Sequence, residues 1–300
     1  MRALLVSVVG GFFACQPQQE PASRREALRG GVTDNSDRTV GLLFSAKHSC
    51  TATVVSPHVM VTAGHCVDYA DSPADQFKAY FGTSLGAPQP GDLYYHVVSS
   101  AKDPRYVHPA GEQQSSADFD IGVVMVKEAL TVTPVPLRRP PVGPEVVGRS
   151  ARLLGYGLTV PTDTTDPVRR QVTLVATGVV SESLVFDSTI SSACRGDSGG
   201  PVLFSDTDGE KLAAVISTGD AACAQWTAGA IIDEQALAFI DQQIATADPQ
   251  PDMAVSSDAA VDPSMSGSQG CAYGGRGAGA SPVIVVAALV LLALRRRGPA

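Results

Sequence analysis

The chain reads as an all-β protein. Short runs rich in β-branched and apolar residues recur through the middle of the 300-residue sequence. Pro, Gly and Asp punctuate them, as strands and turns require. The runs fall at 40–44, 51–55, 58–62, 121–126, 152–154, 172–175, 202–204, 212–216 and 230–232. One segment breaks the pattern. Leu237, Ile240 and Ile244 recur at helical spacing behind Asp233, a residue type that caps helix starts. The spacing predicts a helix over 233–247 whose apolar face packs on the core.

Composition agrees with a globular domain carrying appendages. Apolar residues make up 44% and charged residues 17% of the chain. A central part of about 220 residues is long enough to bury a sizeable core. The formal net charge is −8, and the only basic cluster is Arg295, Arg296 and Arg297. That balance argues against nucleic-acid binding. No internal repeat is present.

Three strings carry chemistry. Residues 194–201 read CRGDSGGP. Glycines around Ser198 let the backbone turn sharply and approach a substrate closely. The backbone N–H groups of Gly196 and Ser198 can converge on one developing oxyanion. Such a string alone is as readily a tight turn. Upstream, however, lies Thr62-Ala63-Gly64-His65-Cys66, and between the two lies Asp118-Phe119-Asp120-Ile121-Gly122-Val123-Val124. A serine hydroxyl needs a base within hydrogen-bond reach, and an imidazole titrates near neutrality. His48, His58, His96 and His108 lack a motif and read as structural or solvated.

The order His, Asp, Ser, together with GYG at 155–157, resembles the trypsin/chymotrypsin family of serine proteases over roughly residues 28–247. The resemblance implies two six-stranded antiparallel β-barrels with a C-terminal helix, and a triad in the cleft between the barrels. It assigns His65 as general base, Asp120 as its orienter, Ser198 as nucleophile, and Gly196 and Ser198 as oxyanion donors. Asp118 and Asp120 would face the same side of an extended segment. In the family the acid directly precedes the apolar run, which selects Asp120 and leaves Asp118 as a solvated loop acid.

The same resemblance implies further roles. Asp197 would pair with a new amino terminus made by propeptide cleavage; the other reading is a turn-capping Asp. Ser217 would contact Asp120. Thr218 stands where the family usually has tryptophan, which predicts roomier or more polar inner subsites. The primary substrate pocket would have Ser192 at its base, Ser217 beside it, and Gly219 and Gly229 as small walls. It would be neutral and apolar, favouring large apolar or aromatic residues. Asp220 near its mouth would add a partial preference for basic groups in outer subsites. Disulfides Cys50–Cys66 and Cys194–Cys223 are implied, and with them an oxidising compartment. No metal site and no cofactor is expected. The partners expected are protein or peptide substrates and an activating protease, unless the chain cleaves itself.

The two ends differ from the middle. Residues 1–15 resemble a secretory signal, and Ala14-Cys15 resembles the end of a lipoprotein signal, with an ordinary signal as the other reading. Residues 16–27 would be a short propeptide. The nearest match to the family's mature start is Leu28-Arg29-Gly30-Gly31, with Arg29 in place of an aliphatic residue. Residues 248–270, rich in Pro, Ser, Asp and Ala, predict a disordered linker. Residues 271–300 join Cys271, a Gly-rich stretch, an apolar run at 283–294 and the arginines. That run makes about 18 Å of helix, short of a ~30 Å bilayer core. The order resembles MYXO-CTERM sorting tails, which implies a bacterial origin and a hold on the cell envelope; a plain tail anchor is the alternative. The leading reading is a secreted or surface-attached serine endopeptidase. Its rivals are a catalytically silent binding protein on a protease scaffold and an esterase.

Overall fold

The computed structural model describes residues 28–69, 72–108, 117–162 and 165–248. The expectations for the signal, the propeptide, Cys15, the linker past residue 248, Cys271 and the tail lie outside them. No helix among the described residues is long and apolar enough to cross a membrane.

A two-residue strand, β1 (Val32–Thr33), comes first. Then β2 (Val40–Phe44), β3 (Ser49–Val54), β4 (Val59–Thr62), β5 (Lys78–Phe81), β6 (Leu93–Lys102) and β7 (Gly122–Val126) close a barrel in the order β2-β3-β4-β7-β6-β5. All four residues of β4 are buried. Strand β6 alternates buried and exposed residues over its first half, so one face is wet.

The second half contains β8 (Ser150–Gly155), β9 (Arg170–Val175), β10 (Gly178–Val180), β11 (Ser183–Asp187), β12 (Pro201–Asp206), β13 (Gly209–Gly219) and β14 (Trp226–Ile231). Here the structure departs from the expected pair of six-stranded barrels. These strands and β1 form one eight-stranded sheet, ordered β1-β9-β8-β12-β13-β14-β11-β10. Strands β9 and β11 touch but form no ladder. The reason is the number of free edges: β11 is already paired on one side with β14 and on the other with β10. Strand β1 takes the open edge of β9 at Gln171 and Arg170.

Helix α1 spans Glu234–Ala247, and Asp233 caps it by accepting the Ala236 N–H at 2.7 Å. It buries Ala236, Leu237 and Ile240. Both ends are fastened to the first barrel. Arg105 donates to both oxygens of Asp233, at 2.6 and 2.8 Å. At the other end, Asp248 accepts from Ser56 Oγ at 2.6 Å and lies 2.5 Å from His58 Nδ1.

One apolar cluster crosses the seam between the halves, joining Val40, Leu42 and Ile121 to Leu154, Val215 and Ile240. Within that seam lies a charged pair. Arg169 and Asp34 are 1% and 2% exposed. Arg169 Nη1 donates to the Gly82 carbonyl at 3.2 Å and lies 3.1 Å from Tyr156 Oη. Asp34 Oδ2 stands 3.8 Å from Arg169 Nε. Removing one partner of such a pair strands the other charge. Asp34→Ala is therefore expected to destabilise the protein by about 3–5 kcal/mol, read as a lower urea midpoint at unchanged slope. A loss below about 1 kcal/mol would show that the pair is immaterial.

Candidate active site

His65 sits on a 3-10 turn, Gly64–Val67, that begins just past β4. The neighbouring Cys66 is bonded to Cys50 of β3, tying this turn to the barrel. His65 N–H donates to Asp120 Oδ1 at 2.8 Å, and Nδ1 lies 2.7 Å from Oδ2. Ser217 Oγ donates to the same Oδ2 at 2.5 Å. Asp120 is 1% exposed. Burial pushes its pKa up, but the hydrogen bonds and charge of His65 and the Ser217 hydroxyl outweigh it and hold the pKa below the ordinary 3.8. The carboxylate therefore stays charged against the imidazole.

Asp118 does not share that side, and it is not a solvated acid. Phe119 takes φ +57° and turns the chain between the two acids. Asp118 Oδ1 accepts from Glu182 N at 3.1 Å and Ser183 Oγ at 2.9 Å. The expectation of two parallel carboxyls assumed an extended backbone, which Phe119 does not have.

Ser198 lies on the loop before β12. That loop presses against the first barrel: Thr51 N–H donates to the Ser198 carbonyl at 2.7 Å, and Thr51 Oγ1 to the Gly196 carbonyl at 2.8 Å. The fit requires two glycines. Gly196 and Gly199 have φ +97° and +81°, and a Cβ on Gly199 would overlap Thr62 Oγ1 and the Thr51 carbonyl. Ser198 Oγ is aimed at the Ser217 carbonyl, 3.5 Å away. No hydrogen bond joins it to His65, a looseness common before substrate is bound. Among the described residues, the N–H groups of Gly196 and Ser198 donate to nothing, while those of Asp197, Gly199 and Gly200 are all engaged.

Asp197 is fully enclosed. It accepts from Gly157 N at 2.8 Å and Cys194 N at 2.9 Å, and the Leu28 backbone also hydrogen-bonds to it. Burial dominates these bonds and raises its pKa from 3.8 to about 7. The GYG string now has a physical reason. A Cβ on Gly157 would lie 2.5 Å from the Asp197 carboxyl carbon, and one on Gly155 would overlap its Oδ1. Leu28 is itself fully buried, in the apolar core of the second half, with φ +41°.

Beside Ser198 opens a pocket of about 180 Å³, lined by Ala193, Cys194, Arg195, Ile216 to Ala221 and Cys223. Cys194 is bonded to Cys223, which ties the two sides of the pocket together. Ser217 and Gly219 line the pocket, but Ser192 and Gly229 do not. Ser192 is fully buried, its N–H bonded to the Arg29 carbonyl and its Oγ without a partner. Gly229 pairs with Ile216 and Leu184 inside the sheet, and a Cβ there would meet Val215 and Val202. The residue across from Gly219 is Thr227, whose Oγ1 accepts the Ala193 N–H at 2.8 Å. Thr227 is fully buried and does not line the pocket either.

Asp220 behaves differently from expectation too. Its carboxylate accepts the N–H groups of Ala224, Gln225 and Trp226 at 2.7 to 3.2 Å. Burial raises its pKa, and these bonds outweigh it and lower the value. Its charge is thus committed to its own loop. The pocket lining instead carries Arg195, exposed and with no ion pair to any of the described residues. The one cluster with metal-ligand spacing among the described residues, Cys50, His65 and Cys66, has both sulfurs in a disulfide.

Comparison with known proteins agrees with this geometry. The chain is 30% identical over 173 residues to a chymotrypsin of Phaedon cochleariae, covering 52% of this chain and 59% of that one. It is 27% identical over 192 residues to Trypsin-1 of Astacus astacus, covering 57% and 77%. To Transmembrane protease serine 5 of Homo sapiens it is 26% identical over 199 residues, covering 58% and 41%. The chain thus spans less than two thirds of the length of the first and last of these relatives. Residues 29–238 match the family described as Trypsin, and on that match, which takes in most of the sequence, the chain belongs to the trypsin family.

Proposed function

We propose that this chain is a secreted serine endopeptidase that hydrolyses peptide bonds through an acyl-enzyme. The observation that carries the proposal is the buried Asp120 carboxylate holding His65 beside a loop whose Gly196 and Ser198 N–H groups are free. In the proposed route, His65 takes the Ser198 hydroxyl proton as Oγ bonds to the scissile carbonyl carbon. The oxyanion that forms is held by the two free N–H groups. Collapse breaks the C–N bond, and the imidazolium gives its proton to the leaving amine. Water then enters by the same steps and releases Ser198. Asp120 fixes the imidazole and stabilises its charged form without taking the proton. The two disulfides favour an oxidising compartment. Attachment to a cell envelope through residues 271–300 belongs to the same proposal.

Activation by cleavage before Leu28 completes the reading. Leu28 already rests on Asp197, so a new ammonium there would lie against that carboxylate. The residue before the cut would be Ala27.

A fluorophosphonate probe tests the chemistry. The expected result is one adduct, on Ser198, absent in Ser198→Ala. No adduct on a chain cut at its natural site would overturn the peptidase reading and favour the silent binding protein.

Of the pocket's lining residues only Arg195 and Asp220 carry charge, and Asp220 is held by its own loop. A cavity of about 180 Å³ compares with the roughly 150 Å³ that encloses a benzene ring, so one ring or branched aliphatic group is the proposed occupant. A Cβ on Gly219 would press on the Trp226 carbonyl at 2.9 Å and come within 3.5 Å of the Ala193 carbonyl on the pocket wall. Gly219→Val should lower kcat/KM for aromatic residues before the cut by roughly 10–200-fold and leave substrates with Ala there less affected. Equal losses on both would contradict the assignment.

The raised pKa of Asp197 gives a pH signature. The folded, uncut chain keeps a proton that the unfolded chain has released between pH 3.8 and about 7. Its contribution to stability is therefore lost as pH rises through that window. Urea unfolding of an uncut Ser198→Ala chain should weaken from pH 5 to pH 7.5, and Asp197→Asn should remove that part of the decline. An identical decline in both would show that Asp197 is not the group responsible.

A further inference from the structure

We infer that Asp118 and Arg105 are positioning residues that set the carboxylate of Asp120 against His65, an inference that rests on the peptidase reading above. The starting point is the backbone of Phe119. A positive φ at a bulky residue is costly and persists only where its surroundings over-determine it. Phe119, at φ +57°, lies directly between Asp118 and Asp120.

Two anchors hold it, each from a distant part of the chain. On one side, Asp118 Oδ1 takes two donors, Glu182 N from the turn between β10 and β11 and Ser183 Oγ at the start of β11. That turn belongs to the other half of the molecule. On the other side, the Arg105 guanidinium lies over the Phe119 ring, 4.2 Å from its centre. Arg105 is itself fixed in a fork: Nε and Nη2 donate to Asp103 at 3.0 and 2.7 Å, and Nη1 and Nη2 to Asp233 at 2.6 and 2.8 Å. Asp103 is 1% exposed, and its N–H donates to the Ile121 carbonyl at 2.8 Å, one residue past the triad acid.

The segment 118–120 is thus pinned at its first residue by the second sheet and at its middle residue by a cation. The cation is held between β6's outgoing loop and the cap of α1. Releasing either pin lets Phe119 return to negative φ, which rotates Asp120 away from His65. Neither Asp118 nor Arg105 touches the imidazole or the pocket, so both act through Asp120 alone.

The test compares Asp118→Ala, Asp118→Asn, Ser183→Ala, Arg105→Ala and Arg105→Lys in the naturally processed protein. Two quantities are read: kcat and KM per active site titrated, and the low-field NMR signal of the proton between His65 Nδ1 and Asp120. Asp118→Ala should lower kcat about 10- to 100-fold, hold KM within about twofold, and shift or broaden the proton signal. Asp118→Asn keeps an oxygen that accepts both donors and should recover most of the rate. Arg105→Lys should not rescue, because an ammonium has neither the fork nor the plane. Ser183→Ala removes one donor without touching the strained loop, and carries the test if Asp118→Ala does not fold. The inference is overturned if folded variants keep kcat and the proton signal, or if Asp118→Asn is as impaired as Asp118→Ala. Wild-type protein inert to fluorophosphonate would overturn the peptidase reading instead, while the proton signal would still decide the clamp.

Discussion

A carboxylate enclosed in protein must find donors there or give up its charge. Two carboxylates in this molecule meet that constraint in opposite ways. Asp120 is surrounded by the His65 N–H, the His65 ring and the Ser217 hydroxyl, and it remains ionised. Asp197 has backbone donors and the charge of Arg170 nearby, yet burial outweighs them and raises its pKa to about 7. The first is a finished electrostatic site. In the proposed activation the second gains a positive charge from Leu28, whose buried backbone is already in hydrogen-bond contact with it.

The architecture serves these two groups. Closing the first barrel brings the end of β4 beside the start of β7, which sets the turn bearing His65 next to Asp120. The second half delivers Ser198 on a loop that must press closely on that barrel. Thr51 joins the pieces: its N–H and hydroxyl reach the Ser198 and Gly196 carbonyls, and its Oγ1 also accepts the Tyr156 N–H. Gly155 and Gly157 clear the space into which the Asp197 carboxylate folds. Arg169 and Asp34 occupy the same seam, so the parts carrying Ser198 and His65 meet through polar contacts as well as apolar packing.

Much of this was legible from residues alone, and each miss has a physical cause. Continuous apolar runs such as those of β2, β4 and β7 announce strands because both faces are buried. Strand β6 was missed because its second half, from Ser99 to Lys102, is polar and half exposed. Strand β1 is too short to show a pattern. His65, Asp120 and Ser198 were marked by local strings, whereas Thr51 carries no signal, being one threonine in a strand. Thr227 was hidden for another reason. The resemblance pointed to Gly229, and only strand register shows that Thr227 pairs with Gly219. Asp118 was read as solvated because nothing local reveals that Phe119 bends the chain or that Ser183, 65 residues later, arrives to meet it. Sequence strings report chemistry within a few residues; contacts across the seam depend on the closed fold.

The proposed activation turns on one charge at Asp197, which the Leu28 amine would supply. The most direct measurement follows one sample over time. Mass spectrometry reads the amino terminus while a fluorophosphonate probe reads reactive Ser198. The account predicts that probe reactivity rises in step with chains beginning at Leu28, and that uncut chains stay slow to react. Full reactivity in the uncut chain, or in chains cut elsewhere that cannot place an amine at Asp197, would contradict it.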